Sequence, residues 1–101
     1  MASYIPIKIL DDVFNICIDK TITLTNIIEE TKKLRSLGYS IHNILEQLFI
    51  RIIDNDKIND QEKSKISIYI AKSEKELIDG ADEYLQLLSI LSYIHTVVQN
   101  N

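Results

Sequence analysis

Apolar residues recur along this chain at three- and four-residue intervals, the repeat of a helix with one face turned inward. Ile7, Leu10, Val13, Phe14 and Cys17 share one face of a first helix, entered at Ile5-Pro6. Proline suits a first helical turn because its missing N–H would find no partner there. Asp11, Asp12 and Asn15 lie off that face. Thr23 is placed to cap a second helix. Leu24, Ile27, Ile28, Thr31 and Leu34 then point inward, and Glu29, Glu30, Lys32, Lys33 and Arg35 point to water. Gly38 ends it. Ser40 caps a third helix with an apolar stripe of Ile41, Ile44, Leu45, Leu48, Phe49 and Ile52. A polar loop from Asp54 to Asp60 follows. Asn59 and Glu62, three apart, form a capping-box pattern for a fourth helix. In it Ile66, Ile70 and Leu77 face the core, flanked by Tyr69 and Ala71, while Ser67, Lys72, Lys75 and Glu76 face solvent. Asp79-Gly80 closes it, since a residue without Cβ can take the left-handed conformation of a helix end. The pattern predicts an all-α, compact five-helix bundle with breaks near Lys20, Gly38, Asn55 and Gly80.

The fifth helix departs from the simple amphipathic case. Asp79, Asp82 and Glu83 cluster at its start, where the helix dipole favours negative charge. Beyond them one apolar line runs through Ala81, Leu85, Leu88, Leu91 and Val98. A second runs beside it through Tyr84, Leu87, Ile90, Leu91, Ile94, Val97 and Val98. Polar residues keep only a narrow stripe, so this helix is expected to be covered on more than one side. The line Leu85, Leu88, Leu91 is assigned to the domain's own core. Tyr84, Leu87, Ile90, Ile94 and Val97 are assigned to contact with another subunit. Gly38 and Gly80 are assigned structural roles.

Composition narrows the class. With 101 residues there is room for one core. Two glycines and one proline argue against a turn-rich β architecture. A net charge of −4 without a basic run makes the chain a poor match for phosphate backbone. Cys17 is the one cysteine and has no internal partner, which fits a reducing compartment. No apolar run approaches the ~20 residues of a membrane span. Met1 to Tyr4 lacks the apolar core of a signal peptide and reads as appended residues or linker, leaving residues 5–101 as one all-α domain.

The apparent chemical motifs have plainer readings. Asp54-Asn55-Asp56 opens like a calcium loop, yet the fifth, sixth and twelfth positions hold Ile58, Asn59 and Lys65 instead of an oxygen ligand, Gly and Glu. Leu37-Gly38-Tyr39-Ser40 is placed like a helix-turn-helix junction, but the next helix offers aliphatics where base readout needs polar or basic side chains. His42 and His95 have no metal-ligand spacing, and Cys17 sits on an apolar face. Asp79, Asp82 and Glu83 serve as helix-end charges. No phosphate loop or catalytic triad is legible.

Three strings carry a family resemblance. Ile78-Asp79-Gly80-Ala81-Asp82-Glu83-Tyr84-Leu85-Gln86-Leu87 closely resembles the last-helix signature of eukaryotic replication factor C small subunits. Asp60-Gln61-Glu62-Lys63-Ser64-Lys65-Ile66 with Ile70-Ala71-Lys72 is similar to the helix before it. Leu37-Gly38-Tyr39-Ser40-Ile41 is like the family's Gly-Tyr-Ser turn. Ile5-Pro6 with Val13-Phe14 and Cys17 looks like its first collar helix, so the likeness runs from Ile5 to Gln99.

The resemblance implies the C-terminal collar domain of a five-subunit AAA+ clamp loader, the nuclear machine that places a sliding clamp on primed DNA during replication and repair. It implies an oligomerisation role, with the other replication factor C subunits as partners through the collar. The clamp and primer-template DNA would be met by the whole complex. ATP and Mg²⁺ would belong to upstream domains, which leaves this segment without a catalytic, cofactor-binding or metal-binding residue. The excised domain could form a homo-oligomer. Two other classes fit the bare pattern: a free-standing helical adaptor, and a small helical enzyme with an illegible site.

Overall fold

A computed structural model of the chain describes residues 5–99; the reading of Met1 to Tyr4 as linker lies outside the described residues. Five helices account for most of them: α1 (Ile7–Ile18), α2 (Leu24–Leu37), α3 (Ile41–Asp54), α4 (Asp60–Ile78) and α5 (Glu83–Gln99). The described residues contain no strand.

Local chemistry sets the boundaries. Pro6 sits one residue ahead of α1, at its N-cap. Thr23 and Asn26 bond reciprocally: the Asn26 N–H donates to the Thr23 hydroxyl oxygen at 3.5 Å, and the Thr23 N–H donates to Asn26 Oδ1 at 3.0 Å. Asn59 and Glu62 do the same for α4, at 2.8 and 3.1 Å. Each box satisfies donors that a helix start would otherwise leave unpaired. Ser40 makes no such bond; it is extended backbone ahead of α3, and its side chain does not cap.

Both glycines lie at helix ends with positive φ, 78° for Gly38 and 101° for Gly80. At the end of α4 the Ala81 N–H donates to the Glu76 carbonyl (2.9 Å) and the Gly80 N–H to that of Leu77 (3.1 Å). This pair of bonds is a Schellman closure, which needs a left-handed residue at the position Gly80 holds.

Helix α5 is the axis of the bundle and packs against each of the other four. Its Leu87, Ile90, Leu91 and Ile94 meet Leu10, Val13, Phe14 and Cys17 of α1, Ile27 and Leu34 of α2, Leu45, Leu48 and Ile52 of α3, and Ile66 and Ile70 of α4 in one core. Burying each such side chain contributes about 1.5–3 kcal/mol. Ile58, 4% exposed, pins the α3–α4 loop to that core. Tyr69 and Tyr93 stack with ring centroids 4.1 Å apart, and the Tyr69 hydroxyl bonds Ser89, locking α4 to α5.

Several inward and outward assignments change. Ile7 and Leu24 are the first residues of their helices; they reach past the packed turns and stand 71% and 59% exposed. Ala71 is exposed, because the side of α4 opposite Ile66 and Ile70 looks outward. Glu30 is buried between helices at 8% exposure, although it falls in a charged run. Ser67 is half-buried, its hydroxyl donating to the Lys63 carbonyl at 2.7 Å.

Candidate functional site

Helix α5 carries the predicted contact surface. Asp82 caps it, Oδ1 accepting the Leu85 N–H at 2.9 Å. Tyr84, one turn in, is half-buried, and the Arg35 guanidinium lies over its ring at 5.1 Å from the centroid. Leu87 is 4% exposed and Ile90 and Ile94 are fully buried. These three therefore cannot reach another subunit: they are the centre of the domain's own core. Val97 is half-buried at its edge. The opposite line looks outward at its start, with Leu85 60% exposed and Leu88 half-buried, while Leu91 is buried. Leu91 thus stays in the core as the sequence reading had it and Leu88 packs half-buried against it, while the core also takes Leu87, Ile90 and Ile94 from the line assigned to contact. Four surrounding helices absorb almost the whole girth of α5, and periodicity alone does not say where those neighbours stand.

The exposed apolar surface lies elsewhere. On α3, Phe49, Ile50 and Ile53 face solvent at 36%, 51% and 41% exposure. Ile7 joins Ile50 in lining a groove between α1 and α3. Arg51 pairs with Asp11 beside it, tying the two helices together. A second groove opens at the other end of α3, where Tyr39, Ile41, Tyr84 and Arg35 line it with Asp82 and Glu83 at the rim. The sequence did carry a signal for the α3 surface. Eight of its fourteen residues are aliphatic or aromatic, more than one inward stripe can use.

The remaining candidates resolve into structure. His42 lies between Glu46 of its own helix and Glu74 of α4, at 3.6 and 3.5 Å. His95 Nδ1 is 3.2 Å from the Cys17 carbonyl, an oxygen that can only accept, so the ring is held as donor and links α5 to α1. Cys17 is fully buried, and burial, with a contribution from Glu30, pushes its thiol up to about 12. Burial also raises the Glu30 carboxyl; Asp12 adds to the effect and Lys33 opposes it. One Glu30 oxygen has no hydrogen-bond partner. Asp19 goes the other way: the Thr21 hydroxyl and N–H donate to it and hold it below the usual carboxylate range. In the 54–56 loop the Asn55 side chain accepts the Lys57 N–H at 2.8 Å, an ordinary turn. No metal-holding group of His, Cys, Asp or Glu occurs among the described residues. Among the described residues no helix is long and apolar enough to cross a membrane.

Comparison with known proteins gives a consistent result. Residues 5–93 match the family model described as "Replication factor C C-terminal domain". The chain is 33% identical over 93 residues to replication factor C subunit 4 of Arabidopsis thaliana, an alignment covering 91% of this chain and 27% of that protein. It is 36% identical over 64 residues to replication factor C subunit 2 of Oryza sativa, covering 63% and 19%. Against replication factor C subunit 4 of Homo sapiens it is 30% identical over 101 residues, covering 100% and 27%. The chain thus spans roughly a fifth to a quarter of the length of these curated relatives.

Proposed function

Because the chain belongs to the replication factor C C-terminal domain family, we propose that it is the collar domain of a clamp-loader small subunit. Its role there is mechanical. The collar holds the AAA+ modules of neighbouring subunits in order while their nucleotide sites open and close. The chain itself performs no hydrolysis; ATP and Mg²⁺ act in upstream domains of the parent, and the assembled complex is the DNA-dependent ATPase that meets the sliding clamp and primer-template DNA. Its direct partners are other replication factor C subunits. In a eukaryotic cell such work takes place in the nucleus.

The observation that carries this reading is the match over residues 5–93, nearly the whole chain. The structure is compatible with it. The bundle is closed around α5, and large aliphatic side chains still stand in water on α1, α3, α4 and the first turn of α5. The test is a chimera in which this chain replaces the C-terminal domain of a replication factor C subunit 4. The proposal expects the chimera to assemble with its sister subunits and to keep DNA-stimulated ATP hydrolysis. A chimera that folds but stays outside the complex would overturn it.

A further inference from the structure

Two carboxylates act on one another across the seam between α1 and α2. Glu30 of α2 is 8% exposed, and one of its oxygens is buried without a hydrogen-bond partner. A buried carboxylate charge is held in a fold only where donors or a cation offset its lost hydration. Glu30 joins no ion pair among the described residues. Its neighbour Thr31 donates its hydroxyl to the Ile27 carbonyl at 2.7 Å, so that donor is already taken. Asp12 of α1 sets a like charge toward Glu30, and exposed Lys33 of α2 is the cation that opposes it. The same seam encloses Cys17, which has no exposed surface and lies within electrostatic reach of Glu30.

The other polar ties of α1 run elsewhere. Asp11 pairs with Arg51 of α3, and His95 of α5 donates from Nδ1 to the Cys17 carbonyl at 3.2 Å. Asp19, just past the end of α1, takes the Thr21 hydroxyl and N–H. None of these donors bonds the buried Glu30 oxygen. The closed seam therefore suits a neutral Glu30. Burial raises its carboxyl, with Lys33 opposing and Asp12 adding to the effect. In mild acid the neutral form fits the seam. As pH rises through the raised value, ionisation puts an unpartnered charge there, against Asp12, and the stability of the closed seam falls.

We infer that Glu30 is a proton-controlled latch on the α1–α2 seam: neutral, it stays enclosed, and ionised, it draws the seam open locally toward water and uncovers Cys17 while α3 and α4 stay packed. The open form is a minor population in equilibrium with the closed one. The device involves α1 and α2 alone and stands apart from the collar reading.

Cys17 reports the opening, because its thiol is reached only when the seam parts. A pyridyl disulfide labels the 101-residue chain, folded and urea-unfolded, at about pH 5 and at about pH 8; the ratio of folded to unfolded rates removes the intrinsic pH dependence of thiolate attack. In wild type that ratio rises severalfold with pH. Glu30→Gln holds it nearly constant, since the amide carries no charge, and Asp12→Asn reduces the rise by removing the like charge. Amide exchange, corrected for intrinsic rates, loses protection with pH at residues 13–17 and 27–31 but not at Ile66 and Ile70 of α4. Circular dichroism verifies that each variant is folded, and Asp12→Asn carries the comparison if Glu30→Gln does not fold. A wild-type ratio independent of pH, a rise that persists in full in either variant, or protection that falls equally in α4 overturns the inference.

Discussion

Replacing Ile94 by alanine asks which side of α5 is the core. Ile94 has no exposed surface and packs in the single cluster where all five helices meet. Truncation removes the transfer free energy of three carbons and leaves a cavity that a fully enclosed site closes poorly, so the cost is about 2–5 kcal/mol. A domain of this size has about 5–15 kcal/mol in total. A loss near 3 kcal/mol lowers Tm by roughly 12–24 °C, taking about 4–8 °C per kcal/mol. Leu85 is the control. It lies on the same helix and is 60% exposed, so Leu85→Ala costs less than about 1 kcal/mol. Urea unfolding followed by circular dichroism measures both. Equal m-values with a large midpoint shift for Ile94→Ala alone confirm the assignment. If Leu85→Ala destabilises as much as Ile94→Ala, the core has been placed on the wrong face.

Other outcomes follow from single sites. Gly80 holds φ near 101° in the Schellman closure, and a Cβ there would meet nothing within 4 Å; Gly80→Ala therefore costs about 1 kcal/mol through backbone strain alone, and Gly80→Val more, read by thermal melting. Asn59→Ala removes one half of the α4 capping box, lowers stability by about 1 kcal/mol, and speeds amide exchange at Glu62 before it does so in the core. The Glu30 carboxyl is raised by burial, so its protonated form is favoured in the fold; its contribution to stability is present below the ordinary carboxylate range and is lost as pH rises through the raised folded value. Glu30→Gln flattens that slope, whereas an unchanged pH profile shows that the carboxyl does not control it. Cys17, buried with its thiol near 12, resists iodoacetamide at pH 8 in the native protein and reacts readily in denaturant; equal rates in both refute its burial.

The fold was legible because its signals are local. Helical spacing, the Asn59–Glu62 box, Thr23, and glycines at the ends of α2 and α4 each act within a few residues. The structure follows them to within a residue or two. Faces proved harder. Ile7 and Leu24 obey the apolar period but begin helices whose first turns overhang the core, and Glu30 lies in a charged run yet is enclosed by packing from outside its own helix. The contact surface was misread on α5 for a related reason. Leu87, Ile90 and Ile94 look like surplus only until four neighbouring helices surround them. Tyr84 and Val97, half-buried at the rim of that core, keep some surface. The exposed line on α3 follows from the same count of apolar positions, but only neighbours in space show that Phe49, Ile50 and Ile53 are left over.

Assembly is the central claim, and native mass spectrometry addresses it without relying on enzymatic activity. The chain, 11.7 kDa, is mixed with the C-terminal domains of the other replication factor C subunits. The account predicts a stoichiometric complex in which this chain occupies one defined position and is lost when its own counterpart domain is supplied in excess. A chain that remains outside every such complex, folded and alone or paired only with itself, contradicts it.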